Sequence, residues 1–136
     1  MARHSQRIGP PAAQEIPAVF TTINNCVVTR HWDSGALFVA YSVDFDHTVA
    51  GTIFVLSQVV LDTVAQLPLR ITRQTSGIIR TQQSSSGLIL VTEGVHTIAL
   101  QLAATAGVGD LVQIDSAHLT ILQLPVWDDF SDIETT

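Results

Sequence analysis

The sequence predicts an all-β fold, a sandwich or barrel of antiparallel strands. Three observations lead there. Apolar residues recur at every second position through much of the chain, the periodic segments are short and separated by Gly, Ser and Asp, and no segment shows a helical repeat with capping residues. At 136 residues the chain fits one domain, large enough to bury roughly two-thirds of the surface of its unfolded form.

Residues 1–18 read as an N-terminal arm outside the core. "GPPAAQEIP" places three prolines in nine positions, which favours extended backbone and removes ladder donors. Next, "ALFVAYSVDF" sets Leu37, Val39, Tyr41, Val43 and Phe45 on one face and Ala40, Ser42 and Asp44 on the other, the period of a half-buried strand. "TIFVLSQVVL", apolar nearly throughout and rich in Val, suits a central strand. In "LPLRITRQ", Leu67, Leu69 and Ile71 alternate with Pro68, Arg70 and Thr72, and the proline demotes the segment to an edge. "GIIRTQQ" and "GLILVTE" are expected as two strands joined by a turn at "SSSG". "VHTIALQLAA" points His96, Ile98, Leu100 and Leu102 one way; after the break "AGVGD", "LVQID" and "AHLTILQL" are the last two strands. The domain thus spans 19–124, and 125–136 form an acidic C-terminal tail with Asp128, Asp129, Asp132 and Glu134.

Composition narrows the function. Apolar residues make up 46% and charged residues 13% of the chain, against about 25% charged in ordinary domains. Broad neutral faces follow, most simply explained as contacts between copies. With no lysine and twelve acids against six arginines, attraction to phosphate backbones is not expected. The most apolar run is interrupted by Ser57, Gln58 and Asp62 and is too short and polar to span a bilayer, and the first twenty residues lack the apolar core of a secretory signal. A soluble protein made in a cytoplasm is the expectation. The arm carries Arg3, His4 and Arg7 while the tail is acidic and bears Trp127 and Phe130. Opposite charge, and aromatics uncommon in a purely solvating tail, mark Arg3, Arg7, Trp127 and Phe130 as candidate contacts to a neighbouring subunit.

Candidate chemistry is sparse. Cys26, the only cysteine, lies among apolar neighbours and reads as a buried thiol, which excludes a disulfide framework and a cysteine zinc site. In "VDFDHT", Asp44 and Asp46 share a strand face that His47 does not, so a polar turn is expected there rather than a metal site. His31, Asp33 and Ser34 in "RHWDSG" are adjacent in sequence, which does not make a triad, and no G-x-S-x-G elbow occurs. "GVGD" lacks the lysine and helix of a phosphate loop. His96, at the head of an apolar row, is expected to bond a backbone carbonyl or close the end of the core, and His118 to lie on the face opposite the core. No catalytic, cofactor or metal residues are assigned.

The stretch "TEGVHTIALQLAATAGVGDLVQIDSAHLTILQL" resembles the closing third of a family of small β-sandwich domains of bacteriophage structural proteins, matching at Gly94, His96, Thr97, Leu100, Gly107, Gly109, Leu119 and Ile121. "VFTTINNCVVTRHWDSGALFVAYSVDF" is similar to that family's opening, whereas the "D-G" turn usual after "VVLD" is replaced by "DTVA". The resemblance covers roughly residues 18 to 124. It implies a jelly-roll-like sandwich, often a homotrimer, acting without catalysis as a virion component assembled in the host cytoplasm beside the major capsid or other virion proteins. A capsid decoration role is favoured. The alternative, a fibre-tip or tail module binding a host receptor or carbohydrate, needs an exposed aromatic platform, for which Trp32, Tyr41 and Trp127 are the candidates, although Trp32 beside "DSG" is read first as a turn residue packing over the end of the sandwich.

Overall fold

The structure, a computed structural model, describes residues 4–47, 52–76, 80–105 and 112–124. These form β1 (His4–Gly9), β2 (Gln14–Glu15), β3 (Thr21–Trp32), β4 (Gly35–His47), β5 (Thr52–Leu61), β6 (Val64–Ala65), a 3-10 turn (Leu67–Leu69), β7 (Ile71–Ser76), β8 (Arg80–Val91), β9 (Gly94–Thr105) and β10 (Val112–Gln123). One sheet runs β1-β10-β4-β8, with β2 also on β10; the other runs β3-β9-β5-β6, with β7 also on β5. Every pairing is antiparallel. Counting β1 with β2, and β6 with β7, as single interrupted strands gives eight, with first beside last in one sheet and second beside seventh in the other. That is the jelly-roll arrangement of two Greek keys.

The two sheets clamp one apolar layer. Leu37, Val39, Tyr41, Val43 and Phe45 face Ile98, Leu100, Leu102 and Ala104 across it, as the alternation predicts. One polar network is enclosed within it: the Tyr41 hydroxyl donates to the Leu69 carbonyl at 2.7 Å and meets Ser57 Oγ at 2.8 Å, and Gln83 Nε2 donates to the same Ser57 oxygen at 2.7 Å. Burial pushes the Tyr41 hydroxyl above its ordinary pKa, and the bond to Ser57 opposes that rise without cancelling it. Cys26 is buried as expected, and burial pushes its thiol up to about 11.

Four expectations need correction. The "SSSG" segment is no turn: β8 runs unbroken through it, Ser84, Ser85, Ser86 and Gly87 pairing with Ser42, Tyr41, Ala40 and Val39 of the long strand β4. A small residue is required there, because a Cβ on Gly87 would stand 2.8 Å from Leu69 Cδ2. The segments expected as two last strands are likewise joined in one, Val112–Gln123, Leu111 lying outside the described residues. A bulge at Asp115 moves the inward row from Val112 and Ile114 to Ala117, Leu119 and Ile121, and this change of phase is what reads as a break. Strand β4 continues through His47, which is buried on the core side, so the polar turn expected there is absent. Finally, the arm is extended but is laid on the sandwich. His4–Gly9 pair with Leu122–Ala117, Gln14 and Glu15 pair with Ile114 and Gln113, and Ile16 joins the core. Pro10 and Pro11 lie between the two ladders and Pro17 follows the second, so none occupies a ladder position that needs a donor. In "LPLRITRQ", Pro68 sits in the 3-10 turn and β7 follows as an edge strand.

Candidate interaction faces

The outer face of the β1-β10-β4-β8 sheet carries three successive cross-strand rows. His4, Leu122, Phe38 and Leu88 form the first, Gln6, Thr120, Ala40 and Ser86 the second, and Ile8, His118, Ser42 and Ser84 the third. None contains Asp, Glu, Lys or Arg. Beside the first row lie Ala36 and Leu90, paired with each other. Leu90 is 79% exposed and Leu88 58%, leaving apolar side chains without cover at one end of the sheet, and Ile8, 57% exposed, lies uncovered in the third row on the edge strand β1. The opposite end is charged. The Asp115 bulge stands by Asp44 and Asp46, and Arg80 donates to Asp44 Oδ2 from Nε at 3.0 Å and Nη2 at 2.8 Å. The bond from the Asp46 carboxyl, then partial burial, hold Asp115 above the usual carboxylate range.

The other sheet presents a groove of about 600 Å³ on its outer face, bounded by the β3 bulge and the β5–β6 turn. A polar ladder crosses its floor: Arg70 donates to Gln58 Oε1, Gln58 Nε2 donates to Gln101 Oε1 at 3.0 Å, and Gln101 Nε2 donates to Thr22 Oγ1 at 3.4 Å. Arg70 is held from its far side by the Phe20 ring, 5.3 Å from the guanidinium.

At the rim, Asp62 and Thr63 make the two-residue turn from β5 to β6, both with positive φ, 49° and 74°. This is the primed hairpin geometry usually met by Asn-Gly or Asp-Gly, which explains how "DTVA" replaces the expected "D-G". The β-branched Thr63 is strained there. The turn is pinned to β9, because Asp62 Oδ1 accepts the Thr97 N–H at 2.8 Å and Oδ2 bonds His96 Nδ1. His96 Nε2 bonds the Thr92 carbonyl at 2.7 Å, the backbone contact expected of it. With both ring nitrogens against acceptors the imidazolium is favoured; the Asp62 bond, then the Thr92 carbonyl, raise its pKa. His96 in turn, with the Thr97 amide, lowers that of Asp62.

The sign of the pH effect follows. The raised His96 contributes stability that is complete below its ordinary 6.5 and disappears as pH climbs through the folded value; the lowered Asp62 contributes stability that is complete above 3.8 and disappears as pH falls through its folded value. Asp62→Asn keeps the Thr97 bond and removes the charge. Thermal melts are expected to separate wild type from Asp62→Asn most between pH 3.8 and 6.5, the gap closing at alkaline pH. A gap that does not change with pH would contradict the ion pair.

Of the candidate interaction residues, Arg7 is exposed on β1, its Nη1 bonded to the Gln6 carbonyl at 3.1 Å. Arg3, Trp127 and Phe130 lie outside the described residues. Trp32 is 0% exposed, enclosed in the core with the Arg30 guanidinium 4.9 Å from its ring centre. It therefore offers no platform to a sugar, and neither does the buried Tyr41. The "DSG" turn after Trp32 is clamped by Gln123, which accepts the Asp33 N–H at 3.0 Å and donates to the Asp33 carbonyl at 2.6 Å. His118 is exposed on the face opposite the core, as expected. His47 points inward while Asp44 and Asp46 point outward, so the three do not converge; among the described residues no three His, Cys, Asp or Glu are grouped to hold a metal. Among the same residues no helix is long and apolar enough to cross a membrane. Leu88 and Leu90, and the Gln58–Gln101 ladder, were not singled out from sequence. The alternation of Arg80, Gln82, Ser84, Ser86, Leu88 and Leu90 was the available signal, hidden by the turn assigned to "SSSG".

The architecture thus defines a jelly-roll β-sandwich, and known structures share it. The VP2 subviral particle of infectious bursal disease virus superposes with a TM-score of 0.61 over 90% of this chain at 15% identity. A chain of the T13 particle of that virus gives 0.57 over 90% at 10% identity, and the Eiger TNF of S. frugiperda 0.51 over 94% at 12%. The chain spans about a third of the length of the two viral chains, 32% and 35%, but matches 96% of the Eiger chain. At these identities the likeness is one of fold. No protein-family model matches the chain, and no curated protein sequence does.

Proposed function

We propose that the protein is a non-enzymatic virion structural subunit, a capsid decoration or stabilising protein of a bacteriophage that acts through contacts between copies and with the shell. One observation carries this reading: the three rows without Asp, Glu, Lys or Arg on the outer face of the β1-β10-β4-β8 sheet, with Leu88, Leu90 and Ile8 uncovered. A monomer gains nothing from such a face, whereas a neighbour laid on it removes apolar surface from water at about 25 cal/mol per Å². The sandwich shared with a viral capsid protein and the resemblance to phage structural domains point the same way. In this reading the copies form a homotrimer in the virion, assembled in the host cytoplasm. Arg3, Arg7, Trp127 and Phe130 reach neighbouring subunits, and 125–136 serve as a docking tail. Catalytic residues, cofactors, nucleic acid and membrane have no part in it.

Light scattering on the purified chain is expected to give a trimer mass. Leu88→Asp with Leu90→Asp should shift it to monomer without changing the β-type circular dichroism, since both side chains are exposed in the single chain. Antibody to the chain should label the surface of virus particles from the same source. A wild-type monomer, or unlabelled particles, would overturn the proposal.

A further inference from the structure

The groove on the β3-β9-β5-β6 sheet is a second, separate surface, and the geometry points to a binding site for a neutral sugar ring, a hexose or N-acetylhexosamine, free or at the end of a glycan. Its volume, about 600 Å³, falls within the roughly 300–1,000 Å³ of small-ligand clefts. Strands β5 and β9 are both interior to their sheet, each with a neighbour on either side, so their backbone groups are engaged and a peptide cannot add here as a strand. Recognition must come from side chains.

Those side chains are held in place and only partly used. Gln58 and Gln101 are locked in line between Arg70 and Thr22, each amide committing one N–H to the ladder and retaining the other. Thr22, Thr63 and Thr97 add hydroxyls around them. Amides and hydroxyls offer donors and acceptors side by side, which suits vicinal diols. Between the polar groups Val27, Val60 and Ala99 form an apolar patch that fits the C–H face of a pyranose. Charge selects further. The one ionised group in the lining is the Asp62 carboxylate, both of whose oxygens already accept protein hydrogens, and the lining contains no cation. Arg70 and His96 stand behind the lining but are committed to Gln58 and Asp62, so phosphate, sulfate and sialic acid would meet the Asp62 carboxylate with no cation of the lining to pair with.

Saturation-transfer NMR on the intact chain with the methyl glycosides of glucose, galactose, mannose and N-acetylglucosamine tests this, with sialic acid and a neutral tripeptide as controls. At least one neutral glycoside is expected to respond and to shift the side-chain amide signals of Gln58 and Gln101. Affinity should fall about tenfold in Gln101→Leu, equivalent to one lost charge-neutral hydrogen bond of about 1.4 kcal/mol, and vanish in Ala99→Phe, which fills the groove. Far-UV circular dichroism reports whether the variants fold, and the shift mapping on wild type decides the matter without them. No response to any neutral glycoside, a response that leaves both amide signals unmoved, or binding of the tripeptide or sialic acid alone would overturn the site. Since Leu88 and Leu90 lie on the opposite sheet, their aspartate variants should bind sugar like wild type, so this result and the trimer mass fail independently.

Discussion

Trp32→Ala is expected to destabilise the chain by about 3–5 kcal/mol, the range for emptying a large aromatic from a close-packed core. Trp32 is fully buried where β3 turns into β4, and its loss also removes the ring under the Arg30 guanidinium. That guanidinium donates to the His4 carbonyl at 2.7 Å and Ser5 Oγ at 2.8 Å, so β1 should loosen together with the core. Marginal domains hold only about 5–15 kcal/mol in all, so the variant should lie near the limit of folding. Denaturant titration checks it: a midpoint within experimental error of wild type would show that Trp32 does not fill the core as described. The same experiment separates the two roles the sequence allowed for this residue, because an exposed sugar platform could be removed at little cost to stability.

Gly9→Ala should be nearly as damaging for a different reason. A Cβ at Gly9 would lie 2.0 Å from the Asn24 carbonyl oxygen, a backbone atom of the β3 bulge that cannot swing aside. The contact is fixed from both directions, since Asn25, itself at φ 69°, donates from Nδ2 to the Ile8 carbonyl at 2.6 Å. Overpacking of this kind costs about 1–3 kcal/mol, occasionally more. Gly94→Ala is the control: its Cβ meets nothing within 4 Å, and only its φ of 142° opposes substitution. Thermal melts should therefore rank Gly9→Ala clearly below Gly94→Ala. The reverse order would mean that β1 does not pass the bulge so closely.

Where burial followed a strict two-residue period, sequence was sufficient. Leu37 to Phe45 and Ile98 to Leu102 face inward as read, and the half-buried β4 and interior β5 hold their expected places. Reading failed where the period changed phase or where polar residues paired as strand. The bulge at Asp115 divided β10 into two apparent segments. Ser84 to Gly87 have turn composition, yet the thirteen residues of β4 template them as a ladder, a tertiary effect that local propensity cannot report. For Trp32, the packing role read from its place beside "DSG" agrees with its full burial, and the exposed platform does not. The groove was invisible for another reason: Thr22, Gln58, Asp62 and Gln101 come from three strands and a turn, and only the cross-strand register brings them together.

The position of β10 between β1 and β4 has a kinetic consequence. β4 can pair with β8 as soon as both are made, but β1 has no partner in its sheet until β10 emerges more than a hundred residues later, so the sheet cannot be completed from local contacts. Closure over such separations is slow, on the order of milliseconds to seconds for sandwiches, and nascent chains meanwhile carry open edges that invite mispairing. Synthesis at high concentration would therefore place folding speed rather than final stability in control of yield.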